Sequence, residues 1–91
     1  MDFLPISHID FKAGKLLRIA VELDSGHISY LRLYGDFFIY PEEAIDDIEK
    51  LLIGLRPEDI VPRLKSFIEG NHIQLIGFSP EDLKSAISKA F

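Results

Sequence analysis

The chain contains no cysteine. Disulfides, thiolate nucleophiles and cysteine-ligated metal centres are therefore all excluded. No apolar run approaches the ~20 residues that a membrane-spanning helix requires. The first residues lack the basic-then-apolar pattern of a secretory leader, because Asp2 and Pro5 interrupt them. These absences predict a cytoplasmic chain with no membrane partner. A cationic excess is also lacking: the net charge is −5. That opposes a nucleic-acid partner, whose affinity comes from phosphate neutralisation. There is no Gly-x-x-x-x-Gly-Lys phosphate loop and no Gly-x-Ser-x-Gly nucleophile turn. The three histidines, His8, His27 and His72, stand far apart, and none has a partner at metal-ligand spacing. Internal repeats and low-complexity segments are absent as well.

What remains is a 91-residue chain with 47% hydrophobic residues. That length allows one domain, residues 1–91, with a modest core that gains from a partner. The acid excess is uneven. Residues 1–35 hold four Lys or Arg against four acids, while residues 36–91 hold six against eleven. An anion would therefore find the N-terminal half the more welcoming.

Hydropathy patterning divides the chain into an extended part and a helical part. Residues 3–12 read as an edge strand or arm, and Ala13-Gly14 as a turn. Residues 15–24 alternate: Leu17, Ile19, Val21 and Leu23 face one way, and Leu16, Arg18, Ala20, Glu22 and Asp24 the other. This is the pattern of an antiparallel sheet covered on one side. Asp24-Ser25-Gly26 marks a hairpin turn, with Gly26 supplying positive φ. The next strand, Ile28 to Tyr34, keeps its phase only with a bulge near Ser29-Tyr30. Arg32 then shares the wet face with Tyr30 and Tyr34. Gly35 permits a kink or a close approach, and Phe37 to Tyr40 forms a short aromatic strand.

The helical part is expected to start at Pro41, with Glu42 and Glu43 facing the positive end of the helix dipole. Ala44, Ile45, Ile48, Leu51 and Leu52 give an apolar stripe, and Gly54 the stop. A second helix is expected from Ile60 to Glu69, capped by Asp59, with Pro62 in its first turn and Leu64, Phe67 and Ile68 inward. Residues 72–78 read as an extended linker. Ser79-Pro80-Glu81-Asp82 is a helix start with a capping-box pattern, and the last helix runs to about Ala90 with Leu83, Ala86 and Ile87 inward. The fold class is thus α+β: a small antiparallel sheet of about three strands, followed by helices packed on one face.

Two groups of residues stand out. Lys12-Ala13-Gly14-Lys15 sets two cations around a flexible turn whose backbone N–H groups can hold an anion; the plainer reading is a solvated hairpin tip. Tyr30, Arg32 and Tyr34 on the wet face have the composition of an interaction surface, whereas the wider group with Phe37, Phe38 and Tyr40 is core by composition. The carboxylate pairs Glu42-Glu43 and Asp46-Asp47 read as helix-dipole and surface charges rather than an acid–base pair.

Gly35-Asp36-Phe37-Phe38, followed by Pro41-Glu42-Glu43 and an amphipathic helix, resembles the C-terminal accessory domain of lipoate-protein ligases. The similarity is best over Phe11 to Ile53, and Ser79-Pro80-Glu81-Asp82-Leu83 looks like the family's final helix start. The family's Lys-x-Pro-Gly-Gly-Lys-Leu loop stands here as Lys12-Ala13-Gly14-Lys15-Leu16, without the proline and one glycine. The resemblance implies a fold similar to that of the iron–sulfur scaffold proteins. It also implies a non-catalytic subunit needed, with a large subunit, for ATP-dependent activation of lipoate to lipoyl-AMP. ATP, Mg²⁺ and lipoate would belong to the complex, with none bound by this chain alone. The implied partners are the large catalytic subunit, in a heterodimer, and a lipoyl-domain acceptor reached through it. In that setting Lys12, Gly14 and Lys15 are candidates to lie near the nucleotide or adenylate. Arg18, Tyr30, Arg32, Tyr34 and Asp36 are candidates for the partner interface, with Asp36 equally able to satisfy backbone N–H groups at its turn. Gly26 and Gly35 are structural. The alternatives are an adaptor for lipoyl proteins and a cysteine-free, scaffold-like interaction protein.

Overall fold

The computed structural model describes residues 6–90. Three antiparallel strands come first: β1 (Ser7–Lys12), β2 (Leu16–Asp24) and β3 (His27–Gly35), in that spatial order. The expected strand over residues 3–12 begins at Ser7; residues 3–5 lie outside the described part. The alternating positions of β2 make the core side of the sheet: Leu17, Ile19 and Val21 are buried, together with Ile28, Leu31 and Leu33 of β3. The bulge lies where the phase of β3 required it. Glu22 pairs with Tyr30 and Leu23 with Ile28, leaving Ser29 as the extra residue. Its Oγ sits 2.7 Å from Glu22 Oε1, which occupies the hydroxyl at the irregularity. Leu23, beyond the bulge, is only half-buried.

Gly35 ends β3 with φ +136°. A Cβ there would stand 2.3 Å from the Leu16 carbonyl oxygen. The same oxygen accepts from the Asp36 N–H at 2.9 Å. The chain can therefore turn away from β2 only because residue 35 has no side chain. It continues into β4 (Phe38–Tyr40), which does not join the first sheet. β4 instead pairs antiparallel with β5 (Gln74–Ile76), with Phe38 opposite Ile76 and Tyr40 opposite Gln74. The expected linker over residues 72–78 is thus partly a strand. Its three paired residues are too few to show alternation, and only a partner distant in sequence turns them into a ribbon.

The first helix, α1 (Ala44–Leu52), starts three residues later than Pro41. Residues 41–45 first make a tight turn, with Ala44 N–H donating to the Pro41 carbonyl and Ile45 N–H to that of Glu42. Glu42 and Glu43 therefore precede the helix, and the acids of its first turn are Asp46 and Asp47. Gly54, at φ +86°, is the expected stop. The second helix, α2 (Pro57–Gly70), starts earlier than expected. Pro57 takes the first helical position, where a missing N–H costs nothing, so Asp59 is inside the first turn rather than its cap. Pro62 falls within the helix on its exposed side, where water can reach the Glu58 carbonyl that the proline leaves without a donor. The third helix, α3 (Pro80–Ser88), carries the full capping box: Ser79 Oγ accepts from Asp82 N–H at 3.1 Å, and Asp82 Oδ2 accepts from Ser79 N–H at 2.9 Å.

Helix residues close the core over the inner side of the sheet. Ile48, Leu52, Ile60, Leu64, Leu83, Ala86 and Ile87 are buried against the strand residues. Phe37 and Phe78 meet edge-to-face at 4.9 Å where the ribbon leaves the core. The outer side of β1–β3 carries no helix, so the fold is a small antiparallel sheet covered on one face, with an added two-stranded ribbon.

Candidate functional site

The tip between β1 and β2 carries Lys12, Gly14 and Lys15, all exposed. Two of the backbone N–H groups expected to cradle an anion are already used within the protein. Ala13 N–H donates to the Lys15 carbonyl at 3.0 Å, and Lys15 N–H donates to the Gly77 carbonyl at 2.8 Å. The tip is fastened to the residue after β5 instead of open to an anion. A Cβ on Gly77 would lie 2.8 Å from Lys15 Cγ, so the lysine stem rests directly on the glycine. The stem is thereby directed, while the ammonium is left outside. Among the described residues neither Lys12 nor Lys15 has a carboxylate within ion-pair distance. Both cations are thus unneutralised at their tip, and Lys15 is also fixed at its base. Gly77 has no counterpart in the sequence expectations; the only hint was a glycine directly before Phe78.

Asp36 belongs to this end of the molecule. Its backbone N–H, not its carboxylate, is used at the turn, in the bond to the Leu16 carbonyl. No backbone hydrogen bond to its side chain is seen among the described residues.

The open sheet face collects the other candidates in register. Asp10, Arg18 and Tyr34 form one cross-strand row, His8, Ala20 and Arg32 the next, and Glu22 and Tyr30 the last. Arg18 Nε pairs with Asp10 Oδ1 at 3.3 Å, with both side chains more than half exposed. The Arg32 guanidinium carbon lies 5.9 Å from the Tyr30 ring centroid. Ala20 is buried despite facing outward, because its long neighbours overhang its small side chain. The result is a flat, mixed surface of two arginines and two tyrosines around a small central residue.

Arg32 is held from a second direction by a residue the sequence did not single out. Glu49 of α1 is 7% exposed. Its Oε1 lies 3.4 Å from Arg32 Nη1, and its Oε2 accepts from the Leu33 N–H at 2.7 Å. Tyr30 first and Glu49 second favour the charged guanidinium, so Arg32 stays more firmly cationic than an ordinary arginine. The available signal was that Glu49 follows Ile45 by one helical turn and so lies at the margin of the apolar stripe. Tyr30, Arg32, Glu49, Lys50 and Ile53 line a groove of about 380 Å³ between β3 and α1.

The aromatic group divides. Phe37 and Ile39 are buried, whereas Phe38 and Tyr40 are 59% and 51% exposed. The expectation that these aromatics form core holds for Phe37 only. His27 Nδ1 lies 3.1 Å from the Ser25 carbonyl, and Arg56 Nε donates to its Nε2 at 3.4 Å. Among the described residues no three His, Asp or Glu side chains converge on a metal position. No described helix is long and apolar enough to cross a membrane.

The arrangement has exposed cations and a sheet face suited to contact, and among the described residues no cluster of metal-ligating side chains. Comparisons with known proteins point to one family. Residues 6–87 match the family described as the bacterial lipoate protein ligase C-terminus. The lipoate-protein ligase A subunit 2 of Thermoplasma acidophilum is 34% identical over 79 residues, which cover 86% of this chain and 83% of that one. A solved structure of an archaeal lipoylation system, a bi-partite lipoate protein ligase and its E2 lipoyl domain from the same organism, contains a chain of like fold. Its TM-score is 0.78 at 29% identity, covering 92% of this chain and 96% of that one.

Proposed function

This chain belongs to the family of the lipoate protein ligase C-terminus, and from that premise we propose that it is the small subunit of a two-chain lipoate-protein ligase. It works with a large catalytic chain in the ATP-dependent activation of lipoate to lipoyl-AMP, and is inactive alone. The observation that carries this is the match of nearly the whole chain to a free-standing ligase subunit 2. The acceptor is a lipoyl domain, reached through the complex. ATP is the co-substrate, and the proposed setting is the cytoplasm.

Adenylation requires that water be kept from the reacting phosphate and that developing negative charge meet fixed donors. The metal, the nucleotide and lipoate are assigned to a site centred on the large chain, as the family reading implies. This chain contributes from its edge. Lys12 and Lys15, exposed and unneutralised, bring positive charge toward the nucleotide or the adenylate, with Lys15 aimed by its seat on Gly77. Gly14, exposed between the two lysines, packs against the Gly77 carbonyl. Arg18, Tyr30, Arg32 and Tyr34 form the contact face for the large chain, and Asp36 adds an acid between that face and the tip. A small domain held by such a polar surface can cover the site during activation and move aside for a protein acceptor.

The test is lipoyl-adenylate formation by the large chain, with ATP, Mg²⁺ and lipoate, in the presence and absence of this chain. Activation that needs both chains is the expected result. Equal activation by the large chain alone overturns the proposal.

A further inference from the structure

The β4–β5 ribbon departs from the rule that governs the rest of the sheet. On a solvated face, outward positions are polar. Here Ile39 is buried and Leu75 half-buried on the core side, yet three of the four outward positions are Phe38, Tyr40 and Ile76, and only Gln74, opposite Tyr40, is polar. Phe38 and Ile76 are direct cross-strand partners, so the exposed apolar groups are contiguous. Beside them a groove of about 320 Å³ opens toward the start of α1, and its acidic members are Glu42 and Asp46. Among the described residues neither acid makes an ion pair. An apolar face of this kind, rimmed by charge of one sign, marks a contact surface.

The charges decide what covers it. A second copy of this chain would bring Glu42 and Asp46 against an equally acidic surface, from a chain of net charge −5. The complementary occupant is an apolar segment flanked by lysine or arginine. We infer that the Phe38–Tyr40–Ile76 face is the apolar anchor for such a basic-flanked segment of the large ligase chain, distinct from the polar contact face on β1–β3. This inference rests on the two-chain reading above and adds the surface that holds the chains together.

The experiment is titration calorimetry of the whole chain into the large ligase chain of the same organism, at low and high salt. Three forms are compared: unchanged, Phe38→Thr with Tyr40→Thr, and Glu42→Lys with Asp46→Lys. Threonine keeps strand propensity at both positions. The charge reversal leaves Phe38, Tyr40 and Ile76 in place, so it tests the face separately should the first variant fold poorly; far-UV circular dichroism checks both. The expected result is binding that weakens with salt, about thirty-fold or more weaker in the threonine variant, and weaker again in the charge reversal. If the unchanged chain binds and both variants bind equally well, the anchor is overturned and the two-chain reading stands. If the unchanged chain does not bind the large chain, that reading fails and the anchor with it. If sedimentation shows that the chain dimerises alone and the threonine variant does not, the occupant is a second copy and the inference is wrong.

Discussion

Glu49 reaches from α1 to the outer edge of β3, where its Oε2 accepts from the Leu33 N–H at 2.7 Å. An edge strand leaves alternate N–H and C=O groups unpaired, and such edges invite association. This edge is closed at two places. Glu49 takes one N–H, and the loop after α1 takes both groups of Ile28, through the Leu55 carbonyl at 2.9 Å and the Gly54 N–H at 2.7 Å. Replacing Glu49 by alanine strands the Leu33 N–H and frees Arg32. It should cost about 1–3 kcal/mol, read by urea unfolding, with increased self-association. Glutamine keeps an acceptor oxygen and should cost less.

Gly35 and Gly26 are both at positive φ, but for different reasons. A Cβ on Gly26 meets nothing within 4 Å, whereas one on Gly35 strikes the Leu16 carbonyl oxygen. Gly26→Ala should therefore cost only backbone strain, about 1 kcal/mol. Gly35→Ala should exceed it, at roughly 2–3 kcal/mol, because the turn into the ribbon must shift. Equal losses in thermal unfolding would remove the close approach as the explanation.

Lys15 separates activation from assembly. Its alanine variant should lower lipoyl-adenylate formation by roughly ten- to a hundred-fold. Its affinity for the large chain should stay within about five-fold. Activation left untouched would make the lysine a turn residue only. Lys12→Ala, whose stem has no seat like that on Gly77, should have the smaller effect.

The α2–α3 contact carries a pH dependence. Lys65 Nζ lies 2.7 Å from Glu81 Oε2. This ammonium first, and the Glu81 backbone N–H second, hold the Glu81 carboxyl below the usual carboxylate range. A folded-state pKa below the unfolded value of about 4.3 contributes stability that is complete above that value and lost as pH falls through the folded one. Glu81→Gln should therefore lower the melting midpoint slightly near neutrality and leave it unchanged at the acid end. A constant difference across the whole range would show that the ion pair is not the cause.

The sequence by itself determined whatever depends on neighbours along the chain. The two-residue period of Leu17, Ile19 and Val21 set the buried side of the sheet. The broken phase of Ile28 against Leu31 located the bulge that leaves Ser29 unpaired. Ser79 and Asp82 fixed the last helix start, since a capping box is complete within four residues. The family was legible from the order of the lysine turn, Gly35-Asp36-Phe37-Phe38 and the Ser79-Pro80 helix start. Tertiary structure alone decided matters where partners are distant. Residues 74–76 became a strand only by meeting residues 38–40, and that pairing turned Phe38 and Tyr40 outward while Phe37 went in. The tip around Lys15 was closed by Gly77, more than sixty residues away in the sequence, and the Lys15 N–H was taken by that glycine's carbonyl. Glu49 entered the core because an edge N–H of β3 awaited it there. A carboxylate is buried only when such a donor satisfies it, and nothing local to α1 announces one.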